Sequence, residues 1–488
     1  MSFFPDRGSS VALHRQLAAH LRDAVLTGEL AGGTRLHASR TMAEQLGVSR
    51  NTVTQAIDQL VAEGYLETRL GAGTYVAAGL PLRARGERAA VPAQAHVSAR
   101  ARRLLPAPAY VDPDAGSAPM LFRPGIPDPA LFPEGAWRRI AHRWLDAPDT
   151  RMYGDPCGFR PLREAIAAHL RQTRGVTLGA ENVVIVEGTR AALALISDVL
   201  IDPGDAVAVE DPGYGAIRDA VAACGGNVVP VPLDGEGFDV ARAPRTARFA
   251  YVTPSHQYPS GLVMGLRRRL DLLAWARAAQ AYVVEDDYDA EFRYDGAPLP
   301  ALQGLDDARV LYVGTFSKTL APGLRVAWIV VPGALLDAVR AARTVTSAGP
   351  SFPLQVALAA LVGEGHFALH VRRASARYRE RRDALVAALR ARLGDEMRLE
   401  GAATGLHLTA RFEGDDAALS AAAEKRGVIA PALSRYAAAP GGPSGLVLGF
   451  ANGEPPAIAR AVERLAEAYD AVRHRPQRTD RLSTGAPR

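Results

Sequence analysis

The residues able to do covalent chemistry gather in one stretch, Gly314-Thr315-Phe316-Ser317-Lys318-Thr319-Leu320-Ala321-Pro322-Gly323-Leu324-Arg325. Of the 57 basic residues in this 488-residue chain only two are lysines, and Lys318 is one of them. A sequence that otherwise relies on arginine keeps an amine here. An amine forms a Schiff base with an aldehyde, and a guanidinium does not. Around Lys318 stand the hydroxyls of Thr315 and Ser317, with Arg325 seven positions on. On residue counts alone, a solvated lysine after a strand is the competing reading. The scarcity of lysine and the hydroxyl-rich surroundings shift the odds toward chemistry.

Three further stretches carry matching groups. Glu187-Gly188-Thr189-Arg190 opens an apolar helix with a glycine, which leaves free amides for a phosphate. Glu210-Asp211-Pro212-Gly213-Tyr214 places an aromatic ring after a strand, where core packing is the alternative use. Glu285-Asp286-Asp287-Tyr288-Asp289 is an acidic cluster that would suit a metal by composition. No histidine or cysteine accompanies it at ligand spacing, so no metal is expected, and a carboxylate facing a pyridinium nitrogen is the better use. A lysine for an aldehyde, a carboxylate for a pyridine nitrogen, a flat ring, and amides, hydroxyls and an arginine for phosphate are what pyridoxal 5'-phosphate needs.

The elements that must position these groups are legible from about residue 120. Short apolar runs at 183–186, 206–209, 228–231, 249–253, 282–285, 310–313 and 326–331 alternate with helix-length segments. Seven such runs predict an α/β domain with a mainly parallel sheet covered on both faces. Ligands on such sheets bind at the carboxyl ends of strands, where all four stretches lie.

The N-terminal residues 1–78 have a different pattern. Leu13, Leu17, Leu21 and Val25 mark a first helix, and a second from about Ser39 buries Met42 and Leu46 and stops at Gly47. Ser49 can cap a third helix whose buried stripe is Val53, Ile57, Leu60 and Val61. Residues 64–69 and 74–76 read as two short strands joined through Gly71 and Gly73. A helix-turn-helix with a wing presents the first turn of its third helix to DNA. There Arg50 can pair with guanine while Ser49, Asn51 and Thr54 reach phosphates or bases.

Residues 79–117 are rich in Ala, Pro and Arg and read as a linker, and residues 476–488 as a polar, disordered tail. Between 79 and 105 six arginines face one glutamate, a local excess equal to the formal +5 of the whole chain. Arg83, Arg85, Arg88, Arg100, Arg102 and Arg103 suit either a solvated linker or an arm that touches DNA phosphates. No segment is long and apolar enough to span a membrane, and the N-terminus lacks signal-peptide features. Cys157 and Cys224 match no metal spacing, which points to a reduced, cytoplasmic setting.

Arg35-Leu36-His37-Ala38-Ser39-Arg40, Leu46-Gly47-Val48-Ser49-Arg50-Asn51-Thr52-Val53 and Gly71-Ala72-Gly73-Thr74-Tyr75-Val76 closely resemble the GntR-type winged helix. The resemblance implies DNA contacts at Arg40, Ser49, Arg50, Asn51 and Thr54, with Arg69, Gly71 and Gly73 in the wing. His37 stands where that family usually has proline. Residues 118–475 resemble fold-type I aminotransferases, which have a smaller C-terminal α/β part. That implies Lys318 as the Schiff-base lysine, Asp286 at the pyridine nitrogen, Tyr288 at the ring hydroxyl and Tyr214 stacked on the ring. Gly188, Thr189, Thr315, Ser317 and Arg325 would hold phosphate, with His256 also among the cofactor-binding residues. Tyr153-Gly154-Asp155-Pro156 fits the family's substrate and dimer region.

A GntR-type head on such a domain resembles the MocR/GabR family of transcriptional regulators. The resemblance implies double-stranded DNA as partner, a domain-swapped homodimer, and sensing of an amine, an amino acid or pyridoxal phosphate itself. Two departures bear on the effector. Leu446 stands where amino-acid aminotransferases carry the arginine that grips the substrate carboxylate, and Ala216 where GabR has a second arginine. Arg218 or Arg435 are the possible substitutes. Tyr258 replaces the asparagine of the aminotransferase Asn-Pro-Thr-Gly motif. The alternative is an active aminotransferase with an accessory DNA-binding head. The intact DNA-contact set and the missing arginine favour regulation.

Overall fold

The computed structural model describes residues 3–80, 97–104, 121–146, 154–296, 299–346, 349–438 and 441–474. Arg83, Arg85, Arg88, Tyr153, the tail at 476–488 and most of the linker lie outside the described residues. The chain divides into two compact units, 1–96 and 97–488.

The first unit is built from α1 (Leu13–Leu26), α2 (Ser39–Leu46), α3 (Arg50–Ala62), β1 (Leu66–Arg69) and β2 (Gly73–Val76). Leu17, Leu21 and Val25 of α1 meet Met42 of α2 and Val53, Ile57 and Leu60 of α3, and Leu66 and Val76 of the wing close the core. Gly47 ends α2 at φ 64°, a left-handed position that turns the chain into α3. The Ser49 hydroxyl then accepts the Thr52 N–H at 3.1 Å and caps α3. In the wing Leu66 pairs with Val76 and Arg69 with Gly73.

The second unit carries a sheet of eight strands where seven were expected: β3 (Val183–Val186), β4 (Ala206–Asp211), β5 (Asn227–Asp234), β6 (Gly237–Phe238), β7 (Ala247–Val252), β8 (Tyr282–Asp286), β9 (Val310–Thr315) and β10 (Ala327–Val330). The addition is β6, two residues that fold back on the end of β5 and are too short to show a pattern. The order is β3-β10-β9-β8-β7-β4-β5-β6. The pairs β4–β5, β4–β7, β7–β8 and β8–β9 are parallel, while β10 runs antiparallel between β3 and β9. This reversal matters for the site. It brings the first residue of β10, Ala327, opposite Val186 at the end of β3 and Thr315 at the end of β9. Groups just before β10 therefore share an edge with groups just after β3 and β9. Gly314 permits this packing, because a Cβ there would fall 2.4 Å from the indole of Trp328 on β10.

A smaller C-terminal part follows the 28-residue helix His366–Leu393. Its strands β11 (Arg398–Glu400), β12 (His407–Arg411) and β13 (Gly445–Gly449) form an antiparallel sheet. Leu408 and Ala410 of β12 and Leu446 and Leu448 of β13 share an apolar cluster with Leu385, Leu389, Leu419, Ile458, Val462 and Leu465 of the covering helices. Side chains alternate along a strand, so His407, Thr409 and Val447 face the other way. That face meets the large sheet, where His407 Nε2 lies 3.1 Å from the Pro259 carbonyl and Thr409 donates to it at 2.7 Å.

One part of the linker is not linker. Residues Ala99–Leu104 form a helix in the second unit. Arg103 donates to the carbonyls of Ala222 and Ala223 at 2.9 and 3.1 Å, and Arg100 pairs with Asp198 at 3.2 Å. These two guanidiniums are occupied by protein groups, which removes them from the proposed phosphate-contacting arm. Among the described residues no single helix is long and apolar enough to cross a membrane.

Candidate functional site

The antiparallel insertion of β10 gathers the residues expected to hold phosphate. Gly188, at φ 100°, immediately precedes the helix Thr189–Leu200, whose first amides point outward. Arg325 ends the short turn before β10 in a left-handed conformation, φ 51°, unusual for a side-chain-bearing residue. Its guanidinium lies against Gly188: a Cβ at 188 would sit 3.3 Å from the Arg325 Cζ. At the end of β9 the Thr315 hydroxyl bonds the Ser317 hydroxyl at 3.0 Å and accepts the Ser317 N–H at 3.1 Å. Gly188, Thr189, Thr315, Ser317 and Arg325 thus share one edge of the sheet.

Lys318 leaves the same turn half-buried, and its Nζ donates to the Gly125 carbonyl at 2.7 Å. Burial lowers its pKa, while the charges of Asp289 and Asp286 act in the opposite direction. Asp286 ends β8, fully enclosed. Its Oδ2 accepts the Tyr251 hydroxyl at 2.6 Å, whereas Oδ1 is buried and has no partner among the described residues. Burial pushes the carboxyl up to about 7, and the Tyr251 bond and Lys318 pull against it. An orphaned buried acceptor near an amine is costly in a finished core. Oδ1 accepts no hydrogen bond that the described residues supply.

Tyr288 is not free-standing at this site. Its hydroxyl donates to the His256 carbonyl at 2.9 Å and lies 3.1 Å from His256 Nδ1. That nitrogen is also 3.1 Å from both oxygens of Asp289. His256 therefore braces Tyr288, and its side chain contacts Tyr288, Asp289 and His407. The His407 ring lies 4.5 Å from the His256 ring, so the acidic cluster does have histidines beside it in space, though not along the chain. His256, Asp289 and His407 can present ligand atoms within 4.8 Å of one another. Gly405 packs directly on two of them, since a Cβ there would fall 2.1 Å from His256 Nδ1 and 2.4 Å from an Asp289 oxygen.

Tyr214 sits just before the helix Gly215–Cys224, edge-on to Tyr258 at 6.0 Å. Tyr258 is also edge-on to Tyr288 at 5.8 Å and to Tyr436 at 5.2 Å, and its hydroxyl lies 3.2 Å from that of Tyr436. This ring cluster was not legible as a group. As for the expected carboxylate partners, Leu446 lies in the apolar core of the small part, so the β13 residue on the site-facing side is Val447. Neither is a cation. Ala216 is buried, Arg218 donates to the Tyr436 carbonyl at 3.0 Å, and Arg435 is exposed to solvent.

On the first unit Arg40, Ser49, Arg50, Asn51 and Thr54 are all exposed. The Thr54 hydroxyl turns back to the Arg50 carbonyl at 3.0 Å, so in this state it is spent on the helix. Arg69 bonds Glu67 and lies over the Tyr75 ring at 4.4 Å, while Gly71 and Gly73, both at positive φ, form the wing turn.

A winged helix joined to a lysine-bearing α/β domain of this topology defines a class of two-part protein: a DNA-binding head on an aminotransferase-like body. Comparison with known proteins agrees. Residues 13–76 match the bacterial regulatory proteins of the gntR family, and residues 130–465 match aminotransferase class I and II. The chain is similar, at 39% identity over 99% of each chain, to the probable rhizopine catabolism regulatory protein MocR of Rhizobium meliloti. It is 32% identical, over 94% of its length and 95% of the relative, to the pyridoxine biosynthesis transcriptional regulator PdxR of Corynebacterium glutamicum. The fold of the second unit is similar to Pyrococcus horikoshii kynurenine aminotransferase, with TM-score 0.68, 29% identity, and coverage of 73% of this chain and 91% of that one. The chain belongs to the MocR family of GntR-type transcriptional regulators.

Proposed function

We propose that the second unit holds pyridoxal phosphate on Lys318 and reports an amine-type effector to the DNA-binding heads. The observation that carries this reading is Asp286, a buried carboxylate with one oxygen satisfied by Tyr251 and the other left open. A pyridine nitrogen bearing a proton is the donor that this oxygen lacks. Gly188, Thr189, Thr315, Ser317 and Arg325 hold the phosphate, Tyr214 packs on the ring, and Tyr288, braced by His256, meets the ring hydroxyl. When bound, the cofactor supplies an aldehyde that Lys318 and an incoming amine compete for. Lys318 is suited to that exchange because its burial disfavours the charged amine.

The effector chemistry follows from what the described residues of the pocket lack. A carboxylate in a closed site needs a bidentate guanidinium or it binds poorly. Position 446 faces a core, 447 is valine, 216 is alanine, and Arg218 is bonded to Tyr436. The remaining wall is aromatic, which suits an amine or polyamine, or pyridoxal phosphate itself. The named roles of two relatives, rhizopine catabolism and pyridoxine biosynthesis, support a response to a small molecule. The heads of a domain-swapped homodimer then grip operator DNA in the cytoplasm. Arg40, Arg50 and Asn51 serve as principal contacts, with Ser49 and Thr54 on the same turn and Arg69, Gly71 and Gly73 shaping the wing.

Two experiments test this. Lys318→Arg should abolish the visible absorption of bound cofactor while the protein stays folded and its heads still bind DNA. Titrating that absorption with amines and with amino acids should give stable changes with amines; changes with ordinary amino acids alone would refute the effector assignment. A gel shift on DNA upstream of the gene, with and without pyridoxal phosphate, tests the coupling.

A further inference from the structure

Tyr251 lies inside β7, a strand whose sequence, Ala247-Arg248-Phe249-Ala250-Tyr251-Val252, reads as core. Its ring is 1% exposed and packs with Phe249, Val284, Leu311 and Val313. Phenylalanine would fill that volume equally well, so the hydroxyl needs its own explanation. The hydroxyl donates at 2.6 Å to Asp286 Oδ2 on the neighbouring strand, a short charge-assisted bond.

The charges around Asp286 show what that bond counters. Asp287 and Asp289 from its own loop disfavour a second negative charge there, and Glu210 from β4 is close enough to interact with it. Burial acts in the same direction as these carboxylates. Lys318, from the turn after β9, favours the charge, and so does Tyr251; Tyr214 in turn acts on Tyr251. Among the described residues Tyr251 is the hydrogen-bond donor to this carboxylate. A carboxylate anchored through one oxygen cannot rotate freely, and its second oxygen is presented in one direction.

We propose that Tyr251 is a positioning residue for the pyridine ring: it fixes the rotation of Asp286 and holds it as a carboxylate, leaving Oδ1 as the acceptor for the ring nitrogen. This rests on the cofactor reading above. It adds a residue from a strand interior to a site otherwise assembled from strand ends.

The test uses the full-length protein with Tyr251→Phe, Asp286→Asn and the double variant. Pyridoxal phosphate affinity is measured from about pH 6 to about pH 9, together with the visible absorption and the melting temperature of each apo protein. Loss of the bond removes a donor that favours the anion, so Asp286 ionises at higher pH. Tyr251→Phe should bind about tenfold more weakly near neutral pH, on the scale of one hydrogen bond to a charged group. The loss should shrink as pH rises, with the binding profile displaced to higher pH by about one unit. Asp286→Asn should bind weakly throughout the range, and adding Tyr251→Phe should make no further difference. A folded Tyr251→Phe protein with unaltered affinity and profile would overturn the proposal, as would an equal loss at every pH, which is what general loosening of the core produces. Unaltered binding by Asp286→Asn would instead overturn the cofactor reading, and the role of Tyr251 with it.

Discussion

Replacing Gly188 with alanine separates backbone strain from loss of the anion cradle. Gly188 has φ 100° and ψ 169°, a region open essentially to glycine alone. Forcing a Cβ-bearing residue there costs on the order of 1–3 kcal/mol. The added methyl would also lie 3.3, 3.4 and 3.5 Å from the Cζ, Nη2 and Nη1 of Arg325. Those distances make the guanidinium yield by a few tenths of an ångström, away from the amides at the start of the helix Thr189–Leu200. A phosphate gripped by both would lose one well-aligned charge-assisted bond, about 1.5–3 kcal/mol, or roughly ten- to a hundredfold in affinity. Gly204 is the control, since it has φ 95° and a Cβ there would meet nothing within 4 Å. Gly188→Ala and Gly204→Ala should both lower the melting temperature of the apo protein. Only Gly188→Ala should weaken pyridoxal phosphate binding, followed by equilibrium dialysis, and weaken inorganic phosphate as a competitor in parallel. Equal affinity in the two variants would show that Gly188 and Arg325 do not form the phosphate site.

Ser49→Ala removes the cap that holds Thr52 N–H. It should destabilise the first unit by about 1 kcal/mol, seen as an earlier unfolding step in a denaturant titration, and weaken DNA binding. Arg50→Ala should cost about 1–3 kcal/mol of operator affinity in a gel shift and relax discrimination at one base position, whereas loss of a phosphate contact alone would weaken all sequences alike. The thermal stabilisation given by pyridoxal phosphate should grow as pH rises from about 5 to about 7 and level off above that. Asp286 has its pKa raised to about 7 against an ordinary value of 3.8, so the apo protein loses stability as pH climbs through that range. A bound pyridinium relieves the loss, and a stabilisation constant with pH would refute the pairing.

How much of this was visible in the sequence depends on whether the signal was local. The head was legible nearly residue by residue, because helix periodicity, the Gly47 turn and the Ser49 cap are all short-range. Seven of the eight strands of the large sheet announced themselves as apolar runs. The two-residue β6 could not, since two residues carry no period. Lys318, Asp286, Gly188 and Arg325 stood out as candidates because each follows or precedes a strand and has distinctive chemistry. Tyr251 was hidden for the opposite reason: inside an apolar strand an aromatic ring is the expected residue, and its hydroxyl acts across to the next strand. The grouping of His256, Asp289 and His407 depends on docking of the small part onto the large sheet, which no local pattern encodes. The reading of Leu446 as a pocket position was displaced by one residue, and strand alternation corrects it to Val447.

The direction of β10 brings an exposed arginine, Arg325, to the edge where Gly188 and Thr315 lie. In an all-parallel sheet the residue before a strand lies on the edge away from the ligand. Because β10 runs backwards between β3 and β9, Arg325 lies on the ligand edge, opposite the turns that carry Gly188 and Thr315. A phosphate bound there would tie together three strand ends and the turn bearing Lys318. The other side of the pocket is held differently. Tyr436, from the turn ahead of β13 in the small part, meets Tyr258 through a 3.2 Å hydroxyl contact, and its carbonyl accepts from Arg218 and from the Gly213 N–H. One wall is thus the edge that carries Gly188, Thr315 and Arg325, and the other is joined to the small part through Tyr436. A ligand that displaces the Tyr258–Tyr436 contact would remove one bond between the two parts and leave those of Leu406, His407 and Thr409 in place, and a contact that differs between the free and bound states is what effector coupling requires.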